Sequence, residues 1–173
     1  MLLLPGFFMA AGCRVSSEPG VVLLDFESDG ELDRLHWKCG TLFSMDAGHA
    51  VCGEGALKME LYPSSYPGMS FVPQERDWSS CGKFCFDAVN PSPKALRLTV
   101  RIDDLRESPD YPDRYNQSFS LDAGRSTVCV FTEELVTSGT GRRLDLEGIQ
   151  RVFVFAAGLE ERRTVYLDCF RLE

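Results

Sequence analysis

Arg97, Arg101 and Asp103 fall on one parity of a single short run, Leu96–Asp103 (LRLTVRID). Successive side chains of a strand point to opposite faces. These three polar groups therefore share one side, and Leu96, Leu98, Val100 and Ile102 share the other. Tyr111, Arg114, Tyr115 and Gln117 follow in the next loop and strand, a segment placed to run alongside. Guanidinium, carboxylate and amide groups make paired hydrogen bonds to hydroxyls, and an aromatic ring offers a flat apolar platform. The seven residues together read as a face for a carbohydrate. The plainer alternative is cross-strand ion pairing between Arg and Asp. Trp37 and Trp78 are further platforms or core residues.

Catalysis needs a different constellation, and the sequence lacks it. No G-x-S-x-G elbow presents a nucleophile. Neither His36 nor His49 lies in a catalytic or zinc-ligand spacing. Asp103-Asp104 and Glu133-Glu134 are adjacent pairs, and neighbours on a strand diverge to opposite faces instead of flanking one bond. The expectation is a chain that binds without catalysing.

The elements that must position such a face are strands. Lys83–Ala88 alternates as Leu96–Ile102 does, and Asn90-Pro91-Ser92-Pro93 between them cannot continue a ladder. The expectation is a turn or corner between antiparallel neighbours. Val21–Glu27, Thr41–Met45, Ala56–Leu61, Ser70–Val72, Asn116–Leu121, Ser126–Thr132, Arg151–Phe155 and Thr164–Leu172 read as further strands. Asp122-Ala123-Gly124 reads as a hairpin turn, and Asp145 as a cap for a short helical turn. Short strands with turns every eight to twelve residues predict an all-β, antiparallel β-sandwich or barrel.

With 173 residues, 44% hydrophobic and 25% charged, one domain with one core is expected. Twelve Phe against two Trp and five Tyr favour a packed interior over an aromatic surface. The net charge of −8 argues against nucleic acid, which needs a basic surface.

The opening MLLLPGFFMAAGC is an apolar run, too short for a stop-transfer helix, ending in small residues before a cysteine. It resembles a bacterial lipoprotein signal, which implies lipidation of Cys13 and export to the cell envelope, on the periplasmic or surface side. No basic residue precedes the run, and Ala10 stands where that pattern has Leu. The expected organisation is a signal over residues 1–13, a tether over 14–20 and one domain over 21–173. Membrane contact would be through the lipid alone. Cys39, Cys52, Cys81, Cys85, Cys129 and Cys169 remain, an even number compatible with one or two disulfides among fifteen possible connectivities.

Several pieces in order resemble the galactose-binding-like jelly rolls, which include carbohydrate-binding modules and the complex I intermediate-associated protein 30 family. They are LLDFES (Leu23–Ser28), GEGALKMEL (Gly53–Leu61), FDAVNPSPKALRLTVRIDD, LDAGRSTVCV (Leu121–Val130), LDLEGIQRVFVF (Leu144–Phe155) and TVYLDCFRL (Thr164–Leu172). The resemblance spans residues 21 to 173 and implies a binding or assembly domain, often with a structural Ca²⁺. Asp168 shares parity with Tyr166, Phe170 and Leu172, where a carboxylate is costly unless paired or metal-bound. Asp25 and Glu27 share one face of the first strand. If the first and last strands are neighbours, as the resemblance implies, Asp25, Glu27 and Asp168 would gather around a calcium ion. Carbonyls of the Gly53–Lys58 turn would complete its shell. Otherwise Asp168 pairs with Arg34 or Arg171, or sits at a sheet margin. The expected partner is a carbohydrate or envelope glycan, with a protein partner on the same β face as the alternative.

Overall fold

The structure, a computed structural model, describes residues 20–36, 39–104 and 109–173. The signal-like segment, Cys13, most of the tether and Trp37 lie outside them. The described chain forms ten strands: β1 (Val21–Leu24), β2 (Thr41–Asp46), β3 (Ala56–Leu61), β4 (Gly68–Phe71), β5 (Lys83–Asn90), β6 (Leu96–Asp103), β7 (Tyr115–Leu121), β8 (Gly124–Phe131), β9 (Arg151–Phe155) and β10 (Arg163–Leu172). One sheet runs β2-β3-β10-β5-β8, with β1 also pairing β10, and the second runs β4-β9-β6-β7. Every pairing is antiparallel, and the two sheets enclose one core. The fold is an all-β antiparallel sandwich.

Two connections differ from the expected hairpins. β5 and β6 are consecutive but lie in opposite sheets, so the Pro-rich stretch after Asn90 is a corner, not a link between paired neighbours. The turn at Asp122-Ala123 likewise carries the chain from β7 in one sheet to β8 in the other. The corners are tied together: the Asn90 side-chain amide donates to the carbonyls of Lys94 and Leu121, both at 3.0 Å. A turn signature reports that the chain reverses, not which sheet receives it.

Aromatic rings fill the middle of the sandwich. Phe170 of β10 stacks on Phe86 of β5 at 4.9 Å and meets Phe71 of the opposite sheet edge-on at 5.5 Å. Trp78 stacks on Phe84 at 5.3 Å and is fully buried, which makes it a core residue and not a ligand platform. Its indole N–H donates to the carbonyl of Glu75.

β10 carries a bulge that the period-two reading did not foresee. Its register with β5 shifts between Asp168 and Arg171, and Cys169 has φ 53°. An extra residue reverses the facing of everything after it. Val165 and Leu167 point into the core, and Phe170 and Leu172 do so again beyond the bulge. Asp168 therefore shares the outward face of the larger sheet with Tyr166, not the core face with Phe170 and Leu172.

Candidate functional site

The outward face of the smaller sheet is built by alternation on three adjacent strands. On β6, Arg97, Thr99, Arg101 and Asp103 face outward because Leu96, Leu98, Val100 and Ile102 fill the core. On β9, Val152 and Val154 are core residues, which turns Arg151, Phe153 and Phe155 outward beside them. On β7 the register places Asn116, Ser118 and Ser120 opposite Arg101, Thr99 and Arg97. Arg101 forms a bidentate pair with Asp103, at 2.8 and 2.6 Å, and lies over the Phe153 ring at 4.4 Å. Thr99 and Ser118 share a hydroxyl hydrogen bond of 2.9 Å.

The aromatic row, buried at Phe153 and Phe155, reaches solvent toward β4. Tyr66 is 51% exposed and meets Phe155 edge-on, with ring centroids 5.8 Å apart. Gly68 stands opposite Phe155 in the ladder, and a Cβ there would lie 2.5 Å from the Phe155 side chain. It would also lie 2.3 Å from the Val154 carbonyl, so glycine at 68 is what lets β4 run this close to β9. His36 extends the same sheet through a bridge to Ser70. The signal for Phe153 and Phe155 is present in RVFVF, where Arg151 marks their parity as the wet one. The sequence reading recognised that strand but not its facing.

The seven proposed ligand residues divide. Arg97, Arg101 and Asp103 share the outward face. Arg114 immediately precedes β7 on the outward parity, next to Asp103 by extension of the register. Its guanidinium lies 5.6 Å from the ring of Tyr111, which is 74% exposed. Tyr115 and Gln117 are corrections. Tyr115 is opposite Ile102, 5% exposed and part of the core, and its hydroxyl donates to Gln117 Oε1. Burial and the charge of Glu134 push the phenol above its usual range. β7 turns odd positions inward and even ones outward, so these two cannot join Arg101.

Comparison with solved structures places this geometry. The chain superposes on a family 11 carbohydrate-binding module from Clostridium thermocellum, solved in complex with a β-1,3-1,4-mixed-linked tetrasaccharide. The TM-score is 0.65 at 18% identity, over 90% of this chain and 96% of that one. A non-crystalline-cellulose-specific module, CBM28, gives 0.60 at 13% identity, over 88% and 94%. The chain has the jelly-roll fold of these modules. An exo-β-agarase also matches, with TM-score 0.72 and 18% identity over 88% of this chain, which spans 25% of that enzyme's length. No protein-family profile matches the sequence, and no curated protein matches it.

Beside β10, the central strand of the larger sheet, the three expected calcium ligands do not form one set. Asp25 turns to Glu31. Burial first, then the charge of Asp25 and a hydrogen bond between the two carboxyls, push Glu31 above the ordinary carboxylate range. Glu27 and Asp168 do approach one another. Burial raises the pKa of Asp168, with a contribution from the charge of Glu27, against three backbone N–H donors that oppose the shift. Those donors are Val51 and Cys52 on Oδ2, at 2.7 and 2.9 Å, and Cys169 on Oδ1 at 2.7 Å. Glu27 Oε1 accepts from the N–H groups of Glu54 and Gly55. Gly53, at φ 66°, leaves room for the Glu27 carboxylate, which a Cβ would strike at 2.4 Å. The turn thus offers N–H groups where calcium would need carbonyl oxygens, and calcium takes six to eight oxygens. As arranged, these residues form an amide cradle and do not fit the ion.

Disulfides brace the same sheet. Cys52 joins Cys169 beside the cradle, and Cys85 joins Cys129 across paired strands β5 and β8. Cys39 and Cys81 are free thiols. The adjacent acids diverge as expected: Asp103 meets Arg101, whereas Asp104 meets Arg142 at 2.5 Å.

Proposed function

We propose that this chain is a non-catalytic carbohydrate-binding domain whose ligand lies on the outward face of β4-β9-β6-β7. The observation that carries the reading is the combination on that face of a half-exposed Tyr66 against Phe155 with polar groups set out in rows on β6 and β7. Solved proteins of the same fold and nearly the same length are carbohydrate-binding modules, one with a bound tetrasaccharide. The outward face of the larger sheet is occupied differently, by the Cys85–Cys129 bridge and by Asp87, which takes hydrogen bonds from Thr127 and Arg171.

The test is affinity electrophoresis of the soluble domain against a panel of plant, algal and bacterial polysaccharides. Retardation by at least one glycan is expected, and Tyr66→Ala should weaken it roughly tenfold, about 1.4 kcal/mol. Tyr115→Phe should leave retardation unchanged, because that hydroxyl faces the core. Treatment with EDTA should alter neither binding nor melting. Absence of retardation by every glycan would move the assignment to a protein partner.

The reading extends to an exported, lipid-anchored protein of the bacterial envelope, and its support is the sequence up to Cys13. Metabolic labelling with a palmitate analogue should mark the full chain in a bacterial host. Absence of labelling would remove the anchor, and labelling that persists in Cys13→Ser would remove Cys13 as its site.

A further inference from the structure

We infer that the glycan taken by this face is acidic, a polysaccharide bearing carboxylate or sulfate groups. The inference rests on the proposed carbohydrate-binding role and specifies its ligand. The chain as a whole is acidic, with 26 Asp and Glu against 18 Lys and Arg. On the outward face of the smaller sheet the balance reverses: Arg97, Arg101, Arg114 and Arg151 stand with Asp103 alone. Asp103 already has both oxygens on Arg101.

The other three arginines pair with no described carboxylate. Most arginines elsewhere do, as at Arg34–Glu31, Arg142–Asp104, Arg162–Glu60 and Arg171–Asp87. With acids in excess, three guanidiniums on one face without a carboxylate among the described residues are a sorting of charge; Arg114 Nε donates instead to the Pro109 carbonyl. The Nε of Arg151 is buried without a hydrogen-bond partner, as is that of Arg163 on the larger sheet. The Arg151 guanidinium lies 5.9 Å from the Phe153 ring centroid. Arg97 is exposed at the far end of β6. Guanidinium forks match carboxylate and sulfate oxygens in pairs.

Spacing separates a chain from a small anion. Arg97 is six residues from Asp103, the row of Arg151 and Arg114, so the open charges are roughly 20 Å apart along the strands. Between them lie the exposed Ser118 and the half-buried Asn116 of β7, with Phe153, Phe155 and Thr99 buried beside them. That layout suits an extended ligand that repeats its acid groups. Net charge does not defeat it: the Debye length is about 8 Å at physiological salt, so arginines in contact dominate over acids on the far sheet.

The experiment is calorimetric titration of the soluble domain at physiological salt, and over a salt series around it, with polygalacturonate, a sulfated galactan, neutral mixed-linked β-glucan, agarose and polyglutamate. An acidic polysaccharide should bind at least tenfold more tightly than either neutral glycan. Polygalacturonate against sulfated galactan decides between carboxylate and sulfate. Arg97→Ala and Arg151→Ala should each weaken that binding at least fivefold and flatten its salt dependence, and Arg97→Lys should restore part of it. Unchanged melting of Arg97→Ala shows that the fold is intact. Neutral glycans binding as tightly as acidic ones, unaffected by either alanine variant, would overturn the inference and leave the carbohydrate role standing. Equal binding of polyglutamate would overturn it in favour of a general polyanion surface. No binding of any glycan would overturn both.

Discussion

The Cys52→Ala/Cys169→Ala double variant is expected to unfold with about 3–5 kcal/mol less stability than the parent. The bridge spans 117 residues of sequence, and a loop of that size restricts the unfolded chain by about 5 kcal/mol in the chain-entropy description. Measured losses for native bridges run at about 2–5 kcal/mol. The lower bound is raised here because the bridge does not act alone. It fastens Val51 and Cys52 to the residue after Asp168, and the N–H groups of both satisfy the Asp168 carboxylate. Freeing that segment leaves a buried carboxylate short of two donors. Urea unfolding of the double variant, of Asp168→Asn and of their combination measures the coupling. Full additivity would show the bridge and the cradle to be independent. The cross-strand Cys85–Cys129 bridge closes a loop of only 44 residues between strands already paired, and its removal should cost less.

Arg142→Met should lower stability by about 2–4 kcal/mol. Its guanidinium lies between Asp104, at 2.5 and 3.1 Å, and Asp113, at 2.8 and 3.1 Å, and both carboxylates are almost wholly buried. Removing one partner of a buried pair strands the other charge, at about 3–5 kcal/mol. Arg142 itself is 37% exposed, and the expectation is reduced for that screening. Burial pushes the carboxyl of Asp104 upward, but hydrogen bonds from Arg142 and from the Asp145 N–H outweigh it and hold the group below the usual value of 3.8. A carboxyl whose folded pKa is depressed stabilises the fold above its unfolded pKa, and the contribution fades as pH falls through the folded value. The gap between parent and variant should therefore be full at pH 7 and narrow below pH 4. A gap constant with pH would show that Arg142 acts through packing alone.

Legibility followed the physics of each feature. Alternation in Leu96–Asp103 identified the outward set of Arg97, Arg101 and Asp103, because a core on one side leaves charge no other place. In RVFVF the same rule lost its contrast, since valine and phenylalanine are both apolar and only Arg151 reveals the facing. Tyr115 and Gln117 were misread because the inward parity of β7 mixes them with Phe119 and Leu121, so polar side chains stand on both faces. The bulge at Cys169 breaks the period by one residue and has no local signature, which carried Asp168 to the wrong neighbours. Sheet exchange after Asn90 and at Asp122 depends on where distant strands lie. The pairing of Cys52 with Cys169 depends on it too, and composition is silent on both.

β10 sits between β3 and β5 and also receives β1, so the last strand described is the centre of the larger sheet. A growing polypeptide cannot assemble that sheet from its early strands: until Leu172 has been made, β3 and β5 have no common neighbour and the rings that surround Phe170 have no hub. Folding of this sheet therefore waits until Arg163–Leu172 has been made, and a product truncated before Arg163 would expose two unpaired strand edges. Such a fragment is a substrate for proteases and chaperones, not a smaller binding domain.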